Sequence, residues 1–291
     1  MPPLFFGVSV STSAAPGADP VGQARAAEEL GFDFVSASDH PSGAHPTYET
    51  WTLLTWIAAA TSRIAIASRV LSLPFRSPAL VAKMAESLDR FAGNRLILGL
   101  GAGAADAELR AFGLPVPSAR DKVDGLADAV QVIRGLWQQP AFSYAGRVHA
   151  VDEAELEPKA QRPIPIWLGT FGARALAVTG QYADGWIPSL GYAGAGQLAG
   201  MRGRVLAAAQ AAGRVPGAVT CALNVEVRVG DQAEASPDVL SGSPGELAGR
   251  LRELIGTGFT AFNFSPSGPR PAQEQVEQLA AEVIPMLRED S

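Results

Sequence analysis

The feature that most constrains this chain is an alternation, repeated about eight times. Short apolar runs rich in β-branched residues take turns with longer stretches whose apolar residues recur at helical spacing. The strand-like runs fall at residues 4–10, 34–38, 64–68, 96–100, 166–168, 185–187, 219–229 and 261–264. Most are apolar throughout, as strands of a parallel sheet buried on both faces must be. The helical stretches between them are 20–30, 51–61, 78–91, 123–137, 173–182, 197–212, 244–255 and 273–287. Ser243 and Glu246, three apart around Pro244, mark one helix start as a capping box with proline at the first helical position. Eight strand–helix pairs in series predict an α/β fold, a closed (β/α)8 TIM barrel. The 291 residues, 47% of them hydrophobic, supply one large core, and a single domain over 1–291 is expected.

Residues 140–165, between the fourth helix and the fifth strand, break the alternation. Phe142-Ser143-Tyr144 and Val148-His149-Ala150 flank Ala145-Gly146-Arg147 as the arms of a short hairpin insertion would. Residues 188–196 and 231–242 are rich in Gly, Pro and Ser and read as mobile loops.

A formal charge of −6 leaves no basic face for a nucleic-acid backbone or an anionic membrane, so neither partner is expected. Cys221, the single cysteine, lies in an apolar run and reads as a small core residue in a reducing compartment. The opening Met1-Pro2-Pro3-Leu4-Phe5-Phe6-Gly7 has no basic n-region and no span-length apolar run, and a cytoplasmic location is expected. His40, His45 and His149 lack metal-ligand spacing and no cysteine pair joins them, so no metal site is expected. Trp51 and Trp56 accompany Leu54 and Ile57 at helical spacing, which predicts packing for both.

In a (β/α)8 barrel the chemistry stands on the loops after the strands. Strand two ends in Ser38-Asp39-His40-Pro41. The imidazole is suited to proton exchange near neutral pH, and Asp39 is the neighbour that could orient it. A plain capping turn explains the same residues equally well. After strand three, prolines at 74 and 78 pre-shape a loop carrying Arg69 and Arg76, which read first as ordinary surface arginines. Strand four ends in Gly99-Leu100-Gly101-Ala102-Gly103-Ala104, letting a ligand approach the backbone. A dinucleotide fingerprint is disfavoured there, because no long helix follows directly. After strand five, Gly169-Thr170-Phe171-Gly172-Ala173-Arg174 places small residues and a hydroxyl at a helix N-terminus, which suits a phosphate as well as simple loop closure.

Several segments together resemble the luciferase-like monooxygenase superfamily, and within it the branch that uses the deazaflavin coenzyme F420. They are Ala26-Ala27-Glu28-Glu29-Leu30-Gly31-Phe32-Asp33, Ser38-Asp39-His40, Ala58-Ala59-Ala60-Thr61-Ser62-Arg63-Ile64, Pro74-Phe75-Arg76-Ser77-Pro78, Leu88-Asp89-Arg90, Gly99-Leu100-Gly101-Ala102-Gly103, Tyr182-Ala183-Asp184-Gly185-Trp186 and Gly242-Ser243-Pro244. Each is weak alone, whereas their order over nearly the whole chain is specific. The resemblance implies a tricyclic ring in the barrel mouth, with Ser38, Asp39 and His40 beside it and Gly101, Ala102 and Gly103 nearby. It also implies a phosphate on Gly169, Thr170, Phe171, Gly172 and Ala173, and a non-proline cis peptide at Arg69–Val70 bulging against the ring. Hydride transfer to or from a small, largely apolar organic substrate is implied, with His40 as the proton-handling group and Asp39 fixing its orientation. A homodimer is implied as well, and the apolar second helix agrees with one. Ser38-Asp39-His40 favours F420 over FMN; an FMN-dependent monooxygenase and a non-catalytic flavin-binding barrel are the alternatives. Sugar-phosphate dehydrogenases of the branch carry a glutamate where this chain has Ala104, and a lysine where it has Pro188-Ser189-Leu190-Gly191-Tyr192. Such an activity is therefore not expected. Glu108, the nearest carboxylate, is expected to face solvent.

Overall fold

The computed structural model describes residues 3–215, 217–230 and 238–289. In chain order its elements are β1 (Phe5–Ser9), α1 (Pro20–Glu29), β2 (Phe34–Ala37), α2 (Thr50–Ala60), β3 (Ala65–Ser68), β4 (Leu71–Ser72), α3 (Pro78–Phe91) and β5 (Leu96–Gly101). Then come α4 (Asp106–Ala111), α5 (Ala119–Gln138), β6 (Phe142–Ala145), β7 (Ala150–Ala154), β8 (Ile166–Leu168), α6 (Ala173–Tyr182), β9 (Gly185–Trp186) and α7 (Ala195–Ala211). The chain ends with β10 (Thr220–Val229), β11 (Val239–Gly242), α8 (Pro244–Gly256), β12 (Ala261–Pro266), α9 (Ala272–Gln278) and α10 (Ile284–Arg288). Parallel pairing runs β10-β12-β1-β2-β3-β5-β8-β9, and β9 pairs β10 again, so eight strands close the predicted barrel. Among the described residues no helix is long and apolar enough to cross a membrane.

Two apolar layers hold the barrel. The larger packs helices on the outer faces of the strands. The smaller, with Phe34, Ala67, Ile97, Trp167, Ala222 and Ala261, comes from alternate strand positions and fills the lumen. One layer further toward the strand ends, the same alternation turns polar. Asn263 Nδ2 donates to Ser9 Oγ (2.9 Å) and Asn224 Oδ1 (3.1 Å), and Ser36 Oγ donates to Asn263 Oδ1 (2.8 Å). Buried amides and hydroxyls at this depth need such partners, and the network makes one side of the floor of the mouth polar.

The departures from the sequence expectations have local causes. The helix expected from residue 123 begins at Ala119, because Ser118 Oγ caps the Asp121 N–H, and the short helix α4 precedes it. The second hairpin arm begins at Ala150 instead of Val148, since Asp128 Oδ2 takes the N–H groups of Val148 and His149 out of the ladder. The last helix is broken by a π turn over Leu279–Val283 just before Pro285, whose nitrogen carries no hydrogen to donate. Of the loop expected at 231–242, residues 231–237 lie outside the described residues, and Val239–Gly242 is a strand paired with β10. The 188–196 loop holds a 3-10 turn over Leu190–Tyr192. Trp51 is buried as expected, but Trp56 is 68% exposed. Five residues turn about 140° around a helix, so the two cannot share one face. Cys221 is buried.

Candidate active site

The mouth is formed by the C-terminal ends of the barrel strands, and β2 delivers its most polar segment. Asp39 is buried, and its carboxylate accepts from the Ser72 N–H at 2.8 Å. It also receives both Arg76 terminal nitrogens, Nη1 at 2.8 Å and Nη2 at 3.2 Å. Arg76 Nη2 reaches Glu49 Oε1 as well, at 2.6 Å. Two expectations are thereby corrected. Arg76 is no surface arginine, and Asp39 does not orient His40: it fastens the end of β2 to the β3–α3 loop and to the start of α2. Consecutive residues of an extended segment project to opposite sides, so the Asp39 carboxylate turns away from its neighbour's ring.

The partner of His40 is Glu108. His40 Nδ1 and Glu108 Oε1 are 2.8 Å apart, with the imidazole 65% exposed and the Glu108 side chain only 17% exposed. Glu108 Oε2 is buried and has no hydrogen-bond partner among the described residues. The expectation that Glu108 faces solvent is wrong for a reason that lies in β5. Gly103, at φ +83°, turns the chain at the strand end, and α4 then carries Glu108 over the mouth with Leu109 buried beneath it. The positive φ explains Gly103 without any ligand; only the carboxylate five residues later hinted at chemistry.

The loop after β3 shapes the opposite wall. The Arg69–Val70 peptide is cis. The Val70 methyls fill space left by three glycines: a Cβ would stand 3.2 Å from them at Gly99, 2.7 Å at Gly101 and 3.2 Å at Gly169. An apolar ledge results. Arg69 makes no side-chain hydrogen bond or ion pair among the described residues, and its Nε is buried without a partner. Desolvation by burial holds its guanidinium below the ordinary arginine range. It too is no ordinary surface arginine.

The β8–α6 loop is split in its chemistry. Thr170 Oγ1 is buried 2.7 Å from Thr179 Oγ1, and the Thr170 carbonyl accepts from Trp186 Nε1 at 2.9 Å. Its hydroxyl is therefore committed inside the fold. Gly172, the N-cap of α6, has no side-chain capping bond, and a Cβ there would meet nothing within 4 Å. The N–H groups of the first turn, from Ala173 onward, are the donors this loop can offer an anion. Phe171 stacks at a tilt on Tyr192, centroids 5.4 Å apart, and Arg174 is tied to Asp124 at 2.6 Å. The structure thus brings Ser38, His40, Arg69, Val70 and Gly101–Gly103 to adjoining strand ends, with Gly169–Ala173 on the next strand. Sequence reasoning missed Glu108, Arg76, Glu49 and the polar floor.

This architecture is shared with known proteins. The chain is 26% identical to the F420-dependent glucose-6-phosphate dehydrogenase of Kineococcus radiotolerans, the match covering 90% of each. It superposes on an F420-dependent secondary alcohol dehydrogenase, solved in complex with an F420-acetone adduct, with a TM-score of 0.87 at 21% identity, over 98% of this chain and 99% of the other. The coenzyme F420-dependent tetrahydromethanopterin reductase of Methanopyrus kandleri follows at 0.82 and 19%, with coverages of 98% and 99%. The model of the luciferase-like monooxygenase domain matches residues 3–241, from β1 through the closing strand β10, and so takes in every strand end that builds the mouth except that of β12. A match over so much of the chain shows that it belongs to the luciferase-like monooxygenase family.

Proposed function

We propose that this protein is a cytoplasmic, coenzyme F420-dependent oxidoreductase that moves a hydride between the deazaflavin and a small organic substrate. The observation that carries the reading is the His40–Glu108 pair, which opens onto the mouth beside the Val70 ledge. The residues fit the cofactor in three places. The ledge offers a flat ring an apolar support flanked by Ser38, Arg69 and Gly101–Gly103, the half-buried Arg69 has no counter-charge among the described residues, and α6 presents an uncapped N-terminus to a phosphate. The names of the relatives, F420-dependent dehydrogenases and a reductase, support the same cofactor.

When bound, the deazaflavin would supply a carbon that accepts or donates hydride. The protein's own part is positional and protonic. Glu108 accepts from His40 Nδ1–H, which selects the tautomer with a free lone pair on Nε2. That nitrogen takes the hydroxyl proton of an alcohol as its C–H hydride departs, or returns a proton to a carbonyl in reverse. Asp39 acts at one remove: through Arg76 and Ser72 it holds the strand end from which His40 projects. The chain lacks the glutamate and lysine of sugar-phosphate dehydrogenases, at Ala104 and in 188–192, so a sugar phosphate is not the proposed substrate. Trp56, exposed on the apolar helix α2, supports a homodimer through that helix, which sedimentation of Trp56→Glu would disperse.

A fluorescence titration with oxidised F420 and, separately, with FMN tests the cofactor. Micromolar binding selective for F420, about −8 kcal/mol, is the expected result. Selective FMN binding would replace the reading with a monooxygenase, and binding of neither would replace it with a non-catalytic barrel.

A further inference from the structure

Arg69 is half-buried, with its Nε fully buried, and departs from the rule that a charge sunk into a fold has a partner. Its N–H donates to the Ala37 carbonyl at 2.8 Å, so pairing between the second and third strands continues one step past the Ala37–Ser68 pair. Along β3, Ala65 and Ala67 belong to the lumen layer, and the same alternation assigns the side chain of residue 69 to the barrel axis. There it lies beside Ser38 and two residues short of His40 on the neighbouring strand. No carboxylate among the described residues pairs with it, and Nε is buried with no acceptor. Desolvation alone accounts for the direction in which its affinity for the proton moves. The nearby carboxylates are engaged elsewhere: Asp39 with Arg76, Glu108 with His40.

An uncompensated guanidinium in such a place costs stability in the ligand-free protein, and an incoming anion removes the cost. Arginine rather than lysine further narrows the anion, because the planar fork of donors matches two acceptors held in one plane. We propose that Arg69 is an anion-binding residue of the barrel mouth, and that it receives a planar, two-acceptor anionic group of a bound molecule. Two sources carry that chemistry: the pyrimidine edge of the deazaflavin ring and a carboxylate on the substrate. The inference deepens the F420 reading in the first case and rests on the mouth alone in the second.

The test compares wild type with Arg69→Met and Arg69→Lys in the full chain. Each is titrated with oxidised F420, and each is titrated with benzoate and, as the uncharged control, benzamide, with and without F420. Arg69→Met is expected to weaken one anionic ligand at least tenfold, with Arg69→Lys intermediate because it keeps the charge and loses the fork. A fall in F420 affinity places the ring edge at Arg69. A fall confined to benzoate, with benzamide unmoved, identifies the substrate as a carboxylate. Both affinities within twofold of wild type overturn the inference. Ligand-free Arg69→Met should melt at or above the wild-type temperature, which separates lost binding from lost fold. If the wild-type chain binds no F420, the cofactor reading fails on its own, and the benzoate arm still decides the role of Arg69.

Discussion

The two ends of the barrel use arginine in opposite ways. At the N-terminal end, Arg95 donates to the carbonyls of Ala58, Thr61, Ile64 and Ala92 and to the Thr61 hydroxyl, over 2.5–3.1 Å. Arg162 grips Asp89 and the Leu96 carbonyl, and Arg214 ties together the carbonyls of Gly180, Ala183 and Ala218. These side chains staple helix ends to strand starts. At the C-terminal end, Arg76 is a staple of the same kind, while the Arg69 side chain has no partner among the described residues. A large cavity of about 1110 Å³ lies at the N-terminal end, between Phe5, Trp167, Leu206, Val215 and the arginines. Size alone does not make it the site of chemistry. Most donors of its arginines are committed to the fold, whereas the mouth holds an open imidazole, an orphaned carboxylate oxygen and a free guanidinium. Unsatisfied polar groups among the described residues, more than void volume, distinguish the C-terminal end of this barrel, where the proposed chemistry lies, from the N-terminal end.

The largest expected effect lies at the mouth. His40→Ala should lower the hydride-transfer rate by about 10²–10⁴ while leaving F420 affinity and melting temperature near wild type. Glu108→Gln should lower kcat by about tenfold through the lost orientation of the ring, again with little change in cofactor affinity; stopped-flow absorbance on both variants checks the pair. An unchanged rate in either would erase the contrast between the ends. Next is the supporting end. Arg95→Met should destabilise the fold by about 2–4 kcal/mol in urea unfolding, because it strands several buried carbonyls, with kcat per folded molecule unchanged. A loss of activity without a loss of stability would show that the N-terminal end takes part in function. The smallest effect is expected at Thr170→Val, which keeps the shape and removes a hydroxyl bonded within the fold. Stability should fall by about 1 kcal/mol and F420 affinity should stay within twofold; a tenfold loss of affinity would return that hydroxyl to the phosphate.

Legibility in the sequence followed the range of the interactions concerned. The periodicity that predicts eight strand–helix pairs is written in residues a few positions apart, and so is the capping box at Ser243–Glu246. His40 was readable because it ends an apolar strand in a fold whose strand ends carry chemistry. Its partner was not. Glu108 lies 68 positions away, on a helix of six residues too short to show a periodic face, and its approach depends on the turn at Gly103.

The sequence by itself determined the barrel, the strand end that bears His40, and the family resemblance with its cis bond at Arg69–Val70. Only the tertiary structure decided the pairing of charges. Asp39 took Arg76, Glu108 took His40, and Arg69 was left without a counter-charge among the described residues. The physical reason is that hydrophobic periodicity reports which face of an element is buried, while a salt bridge depends on which side chains from distant elements converge within about 4 Å, and no one-dimensional pattern records that distance.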